Sequence, residues 1–207
     1  LMQLPSRLTK QVPSAYTNPI IHRILGGPKL ARDSIALADA ILSATGSKIL
    51  VDSSKSVLKF WSVYRQQPGR VRTVILARDY RAVVYSKMKR GRSLENAARE
   101  WRRKMEQIEL LTSDVADDRC YRLKYEVLCA DPTEALTALC AYLDIGFETT
   151  MLSRPTEGVH HLGGSPSKFD PSKRVISLDT SYENAFDRQS LAQMQELVGS
   201  VAESWGY

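Results

Sequence analysis

The sequence predicts an α/β fold in which a central parallel sheet is flanked by helices in three layers, and three observations predict it. Short strand-like runs, Lys48–Val51 (KILV), Val71–Ala77 (VRTVILA, rich in β-branched residues) and Cys120–Leu123, alternate with helical segments; strand, helix and strand in that order form a parallel crossover unit. The helical segments carry apolar residues at helical spacing. With 207 residues, 43% apolar and 25% charged, the chain can bury one sizeable core and is expected to form a single domain over 1–207.

Taken in order, a Pro-rich irregular opening leads to a helix that Asp33 can cap, whose apolar residues Ile35, Leu37, Ala38, Ile41 and Leu42 run to a stop at Gly46. Lys48–Val51 reads as a short buried strand. Val57–Gln66 reads as a helix ended by Pro68 and Gly69, and Val71–Ala77 as the second strand. Arg81–Arg90 is helical by pattern. Ser93–Thr112 is a long helix on which Leu94, Ala98, Trp101, Met105, Ile108 and Leu111 form one stripe, read as core. Cys120–Leu123 is a third strand. Asp131, Pro132 and Glu134 then make a helix start with a capping box. Residues 153–180 form a long loop rich in Gly, Pro, Ser and Lys, and a last amphipathic helix runs from about Ser190 to Ser204.

Charge is unevenly distributed. Between Arg70 and Lys104 stand twelve Lys and Arg against three Asp and Glu, a local excess of +9 in a chain whose net charge is +6. Such a concentration points to an anionic partner, a nucleotide, polyanion or nucleic acid. A nucleic-acid surface ranks last, because the segment lacks aromatic residues spaced for base stacking and any recognition-helix motif. No window approaches 18 uncharged apolar residues, so no membrane span is expected. The three cysteines, Cys120, Cys129 and Cys140, match no metal or redox spacing, which fits a reducing compartment. Cys140 shares a helical face with Leu136, Leu139 and Leu143 and reads as core.

The most informative stretch is VILARDYRAVVYSKMKRG, Val74–Gly91. A strand delivers Arg78 at its carboxyl end and a helix follows within three residues, the place where open parallel sheets bind ligands. A phosphate there would meet Arg78 as a bidentate partner, the N–H groups of the helix start, and the Ser86 hydroxyl, with small Ala82 leaving the approach open. The residues alone leave equal room for a surface pair between Arg78 and Asp79 with Ser86 incidental.

The stretch resembles the 3'-phosphate-binding motif of the sulfotransferase superfamily that uses 3'-phosphoadenosine-5'-phosphosulfate (PAPS): a strand, Arg-Asp-Pro-Arg-Ala-Val, then a Ser within the helix. Tyr80 stands where that family usually has Pro. The resemblance implies that Arg78 and Ser86 bind the donor 3'-phosphate. It also implies a three-layer P-loop-like fold, incomplete at the N-terminus. YRLKYEVLCADP, Tyr121–Pro132, is similar to the family's strand ending in Arg-Tyr-Glu-Asp-Leu, which would put Tyr125 near the adenine; packing at a strand end is the alternative for that residue. VHHLGGSPSKF, Val159–Phe169, resembles a late loop of bacterial and carbohydrate sulfotransferases. By that likeness Gly164 and Lys168 would close over the donor, Lys replacing the usual Arg. His160 and His161 read as loop histidines, with no third metal ligand at the right spacing and no metal expected.

ILVDSSKSVLKF, Ile49–Phe60, sets Asp52 and Lys55 beyond the expected first strand. Some relatives use an acidic residue there as general base, a role that needs a carboxyl pKa raised towards neutrality; the competing role for Asp52 is a helix cap. No Gly-x-x-Arg-Ser-Gly-Thr-type loop is present, and the glycine pair in LGGPKLARDS, Leu25–Ser34, does not replace it. The simplest account is a chain that starts downstream of that loop. The expected function is sulfuryl transfer from PAPS to a hydroxyl or amine of a small-molecule, lipid or carbohydrate acceptor. The alternative is a non-catalytic module that binds adenosine 3',5'-bisphosphate. The expected compartment is the cytoplasm, or the Golgi lumen were an upstream anchor to exist.

Overall fold

A computed structural model describes residues 19–153 and 175–207. They form two compact units. One holds the described residues up to Arg72 together with Arg103–Arg119; the other holds Thr73–Arg102 together with the described residues from Cys120 onward.

The first unit opens with helices α1, Pro19–Ile24, and α2, Gly27–Thr45. Helix α2 starts two turns earlier than the sequence suggests. Its N-cap is Gly26 in the left-handed region at φ 75°, with Pro28 in the first turn. Asp33 therefore lies inside the helix, where it pairs with Lys29 one turn before it at 2.7 Å. The stop at Gly46 is as expected, with φ 64° and its N–H bonded to the Leu42 carbonyl.

Lys48–Val51 is not a strand. A strand exists through its ladder, and among the described residues nothing pairs with this segment; Ile49 is 48% and Val51 81% exposed. The crossover expected from it is therefore absent. Helix α3, Val57–Gln66, has the expected bounds, capped by Ser56 Oγ accepting from the Lys59 N–H at 3.3 Å. Its buried face carries Trp61, Ser62 and Tyr64. The Ser62 hydroxyl donates to the Leu58 carbonyl at 2.6 Å and lies 2.8 Å from His22 Nε2, which satisfies two buried polar groups at once.

Helix α5, Leu94–Thr112, begins in the second unit and ends in the first. Its predicted stripe is core: Ala98, Trp101, Met105 and Leu111 are each no more than 5% exposed.

In the second unit, β1, Thr73–Ala77, pairs in parallel with β2, Cys120–Lys124, in the register Thr73↔Cys120 to Ala77↔Lys124. Helix α4, Tyr80–Met88, leaves β1 through a two-residue corner. Helix α6, Tyr125–Ala130, leaves β2 with no intervening residue, and α7, Pro132–Leu143, follows. Asp131 caps α7 by accepting from the Glu134 N–H at 2.9 Å. Its own N–H goes to the Val127 carbonyl at 3.3 Å, so the reciprocal half of the predicted capping box is replaced by the end of α6. Cys140 is buried, as its helical face implies. The last helix is two: α8, Arg188–Val198, and α9, Ser200–Ser204, separated at Gly199.

Candidate anion site at the end of the first strand

The corner between β1 and α4 is Arg78-Asp79. Arg78 follows the last strand residue, and its guanidinium lies over the Tyr125 ring at 4.5 Å from the centroid. Tyr125 opens α6 directly after β2. Because Ala77 pairs with Lys124 across the two strands, the parallel register carries the next residue of each chain, Arg78 and Tyr125, to the same sheet end. Stacking on an aromatic face orients the planar guanidinium while leaving its edge for an anion.

That edge already meets an acidic residue. Arg78 donates through one terminal nitrogen to the Asp179 carbonyl at 3.2 Å, and the same nitrogen lies 3.7 Å from Asp179 Oδ2. Among the described residues Arg78 Nε is buried without a hydrogen-bond partner, a donor of the kind a ligand oxygen satisfies. The Tyr125 hydroxyl donates to the Ser177 carbonyl at 2.9 Å. Burial, with a hydrogen bond to Cys129, pushes the Tyr125 phenol up to about 12, although the Arg78 charge opposes the rise. Asp179 is held below its ordinary range, first by hydrogen bonds from Ser181 and then by Arg78.

Arg78 and Asp79 do not pair. Asp79 is 3% exposed. Its carboxylate accepts from the Arg81 main-chain N–H at 2.7 Å and from the Arg81 guanidinium at 3.0 Å, with the Tyr182 hydroxyl at 3.4 Å. Asp79 thus caps α4 and takes one of the helix-start N–H groups that the sequence leaves open for a phosphate. The Arg81 charge offsets the acid, and the hydrogen bond to Asp79 raises the Arg81 pKa further. Ser86 lies half-buried on α4, one turn beyond the buried Ala82.

Sequence reasoning missed the groups that hold this corner. Trp101 Nε1 donates to the Arg78 carbonyl at 3.1 Å. Glu126 accepts from the Asp79 N–H at 2.9 Å and from the Tyr207 hydroxyl at 2.9 Å. The signal was faint: an acid directly after Tyr125 and a tryptophan on a stripe that is otherwise aliphatic.

Asp52 and Lys55 belong to the first unit. Asp52 accepts from the Ser54 N–H at 2.8 Å and pairs with Lys59 at 2.7 Å. It does not cap α3, since Ser56 does. Burial would raise its pKa, but Lys59 and Ser54 outweigh burial and lower it, the reverse of what the general-base role needs. Lys55 is exposed and sits in the left-handed region at φ 58°, a conformation that costs about 1 kcal/mol for a residue with a Cβ. Gly164, Lys168, His160 and His161 lie outside the described residues. Among the described residues no cluster of three or more His, Cys, Asp or Glu is placed to hold a metal ion.

This is an α/β protein with an arginine-bearing corner at the carboxyl end of a parallel strand. Residues 63–149 match the Sulfotransferase family, a segment that contains Arg78, Ser86 and Tyr125. Two solved structures share the fold. One is the sulfotransferase domain from the curacin biosynthetic pathway, with TM-score 0.53, 18% identity, and coverage of 71% of this chain and 58% of that one. The other is the sulfotransferase domain from the Synechococcus PCC 7002 olefin synthase, with TM-score 0.53, 24% identity, and coverage of 66% of this chain and 49% of that one. No curated protein sequence matches. The chain thus spans a little over half the length of one neighbour and about half of the other. The family likeness is carried by residues 63–149, under half of the chain, and the two neighbours add a shared fold.

Proposed function

We propose that this chain serves sulfuryl transfer from PAPS to a hydroxyl or amine, and that its second unit receives the 3'-phosphoadenosine end of the donor. The observation that carries the reading is the Arg78 guanidinium, stacked on Tyr125 at 4.5 Å with a buried Nε donor that none of the described residues takes. An arginine so oriented suits a phosphate, because its donors stand in a fixed fork. Ser86 adds a neutral hydroxyl from α4, and Tyr125 offers a ring face beside the adenine.

When bound, PAPS supplies the activated sulfuryl group. The chain's own residues bind and orient. Arg78 exchanges Asp179 for the 3'-phosphate, and Asp79 and Arg81 fix the first turn of α4; Gly164 and Lys168, outside the described residues, are proposed as further donor-binding residues. Asp52 and Lys55 are the proposed acceptor-side groups. For Asp52 to take the acceptor's proton its pair with Lys59 has to open, since that pairing makes the carboxylate a weaker base. The acceptor is proposed to be a small molecule, a lipid or a carbohydrate, without nucleic acid. Among the described residues no helix is long and apolar enough to cross a membrane; the proposed compartment is the cytoplasm.

The lowered Asp52 pKa favours a second reading, a module that binds adenosine 3',5'-bisphosphate without catalysis. Both readings require discrimination by the 3'-phosphate. Titration with adenosine 3',5'-bisphosphate and with adenosine 5'-monophosphate should give affinities at least about tenfold apart, the worth of one charge-assisted contact. Equal affinities would remove both. Sulfuryl transfer by a chain extended to the length of its structural neighbours then separates enzyme from module.

A further inference from the structure

The peptide joining Arg78 to Asp79 is held from both ends. Its carbonyl accepts from Trp101 Nε1 at 3.1 Å and its N–H donates to Glu126 Oε1 at 2.9 Å. A peptide unit is planar, so fixing both its oxygen and its N–H fixes the directions of the two Cα atoms it joins. One of those carries the guanidinium on Tyr125 and the other the carboxylate that caps α4.

The two clamps are themselves fixed. Glu126 spends its second oxygen on the Tyr207 hydroxyl at 2.9 Å. Tyr207 packs edge-on against Trp101 at 6.3 Å between ring centroids, and Lys124 Nζ lies 5.0 Å from its centroid while donating to the Gly206 carbonyl at 3.0 Å. Trp101 is 5% exposed and also meets Tyr80 edge-on at 5.8 Å. Tyr80 in turn donates to Gln195 Oε1 at 2.7 Å. Residues from α4, α5, α6 and the segment after α9 therefore converge on a single peptide unit.

We propose that Glu126 and Trp101 are positioning residues of the anion site, clamping the Arg78–Asp79 peptide so that the Arg78 side chain and the start of α4 keep a fixed relation. The inference rests on the reading of Arg78 as the 3'-phosphate partner. Supporting groups of this kind decide whether a binding fork stands within a fraction of an ångström of its target.

The test is the ratio of the dissociation constants for adenosine 5'-monophosphate and adenosine 3',5'-bisphosphate, which isolates the 3'-phosphate, measured with thermal melting of each variant. In Glu126→Ala the ratio should fall about tenfold, and in Trp101→Phe about threefold, in chains that still melt cooperatively. Glu126→Gln offers an amide oxygen to the Asp79 N–H and an amide N–H to the Tyr207 oxygen, so it should restore the ratio to within about twofold of wild type.

Folded variants with an unchanged ratio would overturn the proposal, as would a Gln variant no better than Ala. If Glu126→Ala does not fold, Trp101→Phe decides alone, because it keeps a ring in the core and deletes the one donor. A wild-type ratio near one sinks the 3'-phosphate reading itself, and the clamp with it, a result distinct from unaffected variants of a discriminating wild type.

Discussion

Arg78 and Asp179 stand 101 positions apart in the chain, and Arg78 reaches both the carbonyl and the carboxylate of Asp179 from one guanidinium nitrogen, at 3.2 and 3.7 Å. The group proposed to meet a phosphate thus already faces an anion. Asp179 is also anchored by the Ser181 N–H at 3.1 Å, so it stays in place as a competitor rather than following the ligand.

Asp179→Asn should therefore tighten binding of adenosine 3',5'-bisphosphate. The pair is partly exposed, 28% and 49% at the two side chains, and a solvent-screened pair is worth at most about 1 kcal/mol, so the gain should be about two- to fivefold. Calorimetric titration reads it. Weaker binding in the variant would show that Asp179 helps the ligand instead of competing with it.

Alkaline pH should unfold the second unit through its tyrosines. Burial, then Cys129, raises Tyr125 from an ordinary 10 to about 12. Tyr207 is raised in the same direction by burial and by Glu126. A raised folded pKa means that the folded state binds the proton more tightly. The associated stability is complete below pH 10 and is lost as pH rises through about 12. Tyr125→Phe should make the loss of stability between those pH values shallower, measured by urea unfolding at a series of pH values. An equally steep loss would show that Tyr125 is not one of the groups responsible.

Gly27→Ala should destabilise the first unit. A Cβ there would collide with the His22 ring, and His22 is a buried ring tied to Ser62. Overpacking of this kind costs about 1–3 kcal/mol, seen as a lower melting temperature. An unchanged melting temperature would mean that α1 shifts away from α2 at no cost.

Local chemistry was legible in the sequence. The strand delivering Arg78, the helix after it, the core stripe through Trp101 and the Asp131 cap all depend on residues within a turn or two of one another. What needed a distant partner was not legible. The β-branched run at Lys48–Val51 has strand propensity, but pairing belongs to a neighbour that the run does not contain. Asp79 could have served Arg78 or Arg81, and only the corner geometry decides for Arg81. Glu126 meets Tyr207 across 81 positions, a separation at which no local pattern survives.

Ser86→Ala should weaken adenosine 3',5'-bisphosphate binding by about two- to tenfold, the worth of one neutral hydrogen bond, while leaving adenosine 5'-monophosphate unaffected. Equal weakening of both ligands would place the hydroxyl elsewhere than at the 3'-phosphate.

Whether Arg78 recognises the 3'-phosphate is decided by calorimetric titration of wild type and Arg78→Ala with adenosine 3',5'-bisphosphate. Recognition by Arg78 should cost the variant about tenfold to a hundredfold or more in affinity, as for a charge-assisted contact, with a melting temperature near that of wild type. A folded Arg78→Ala chain that binds as tightly as wild type would contradict it.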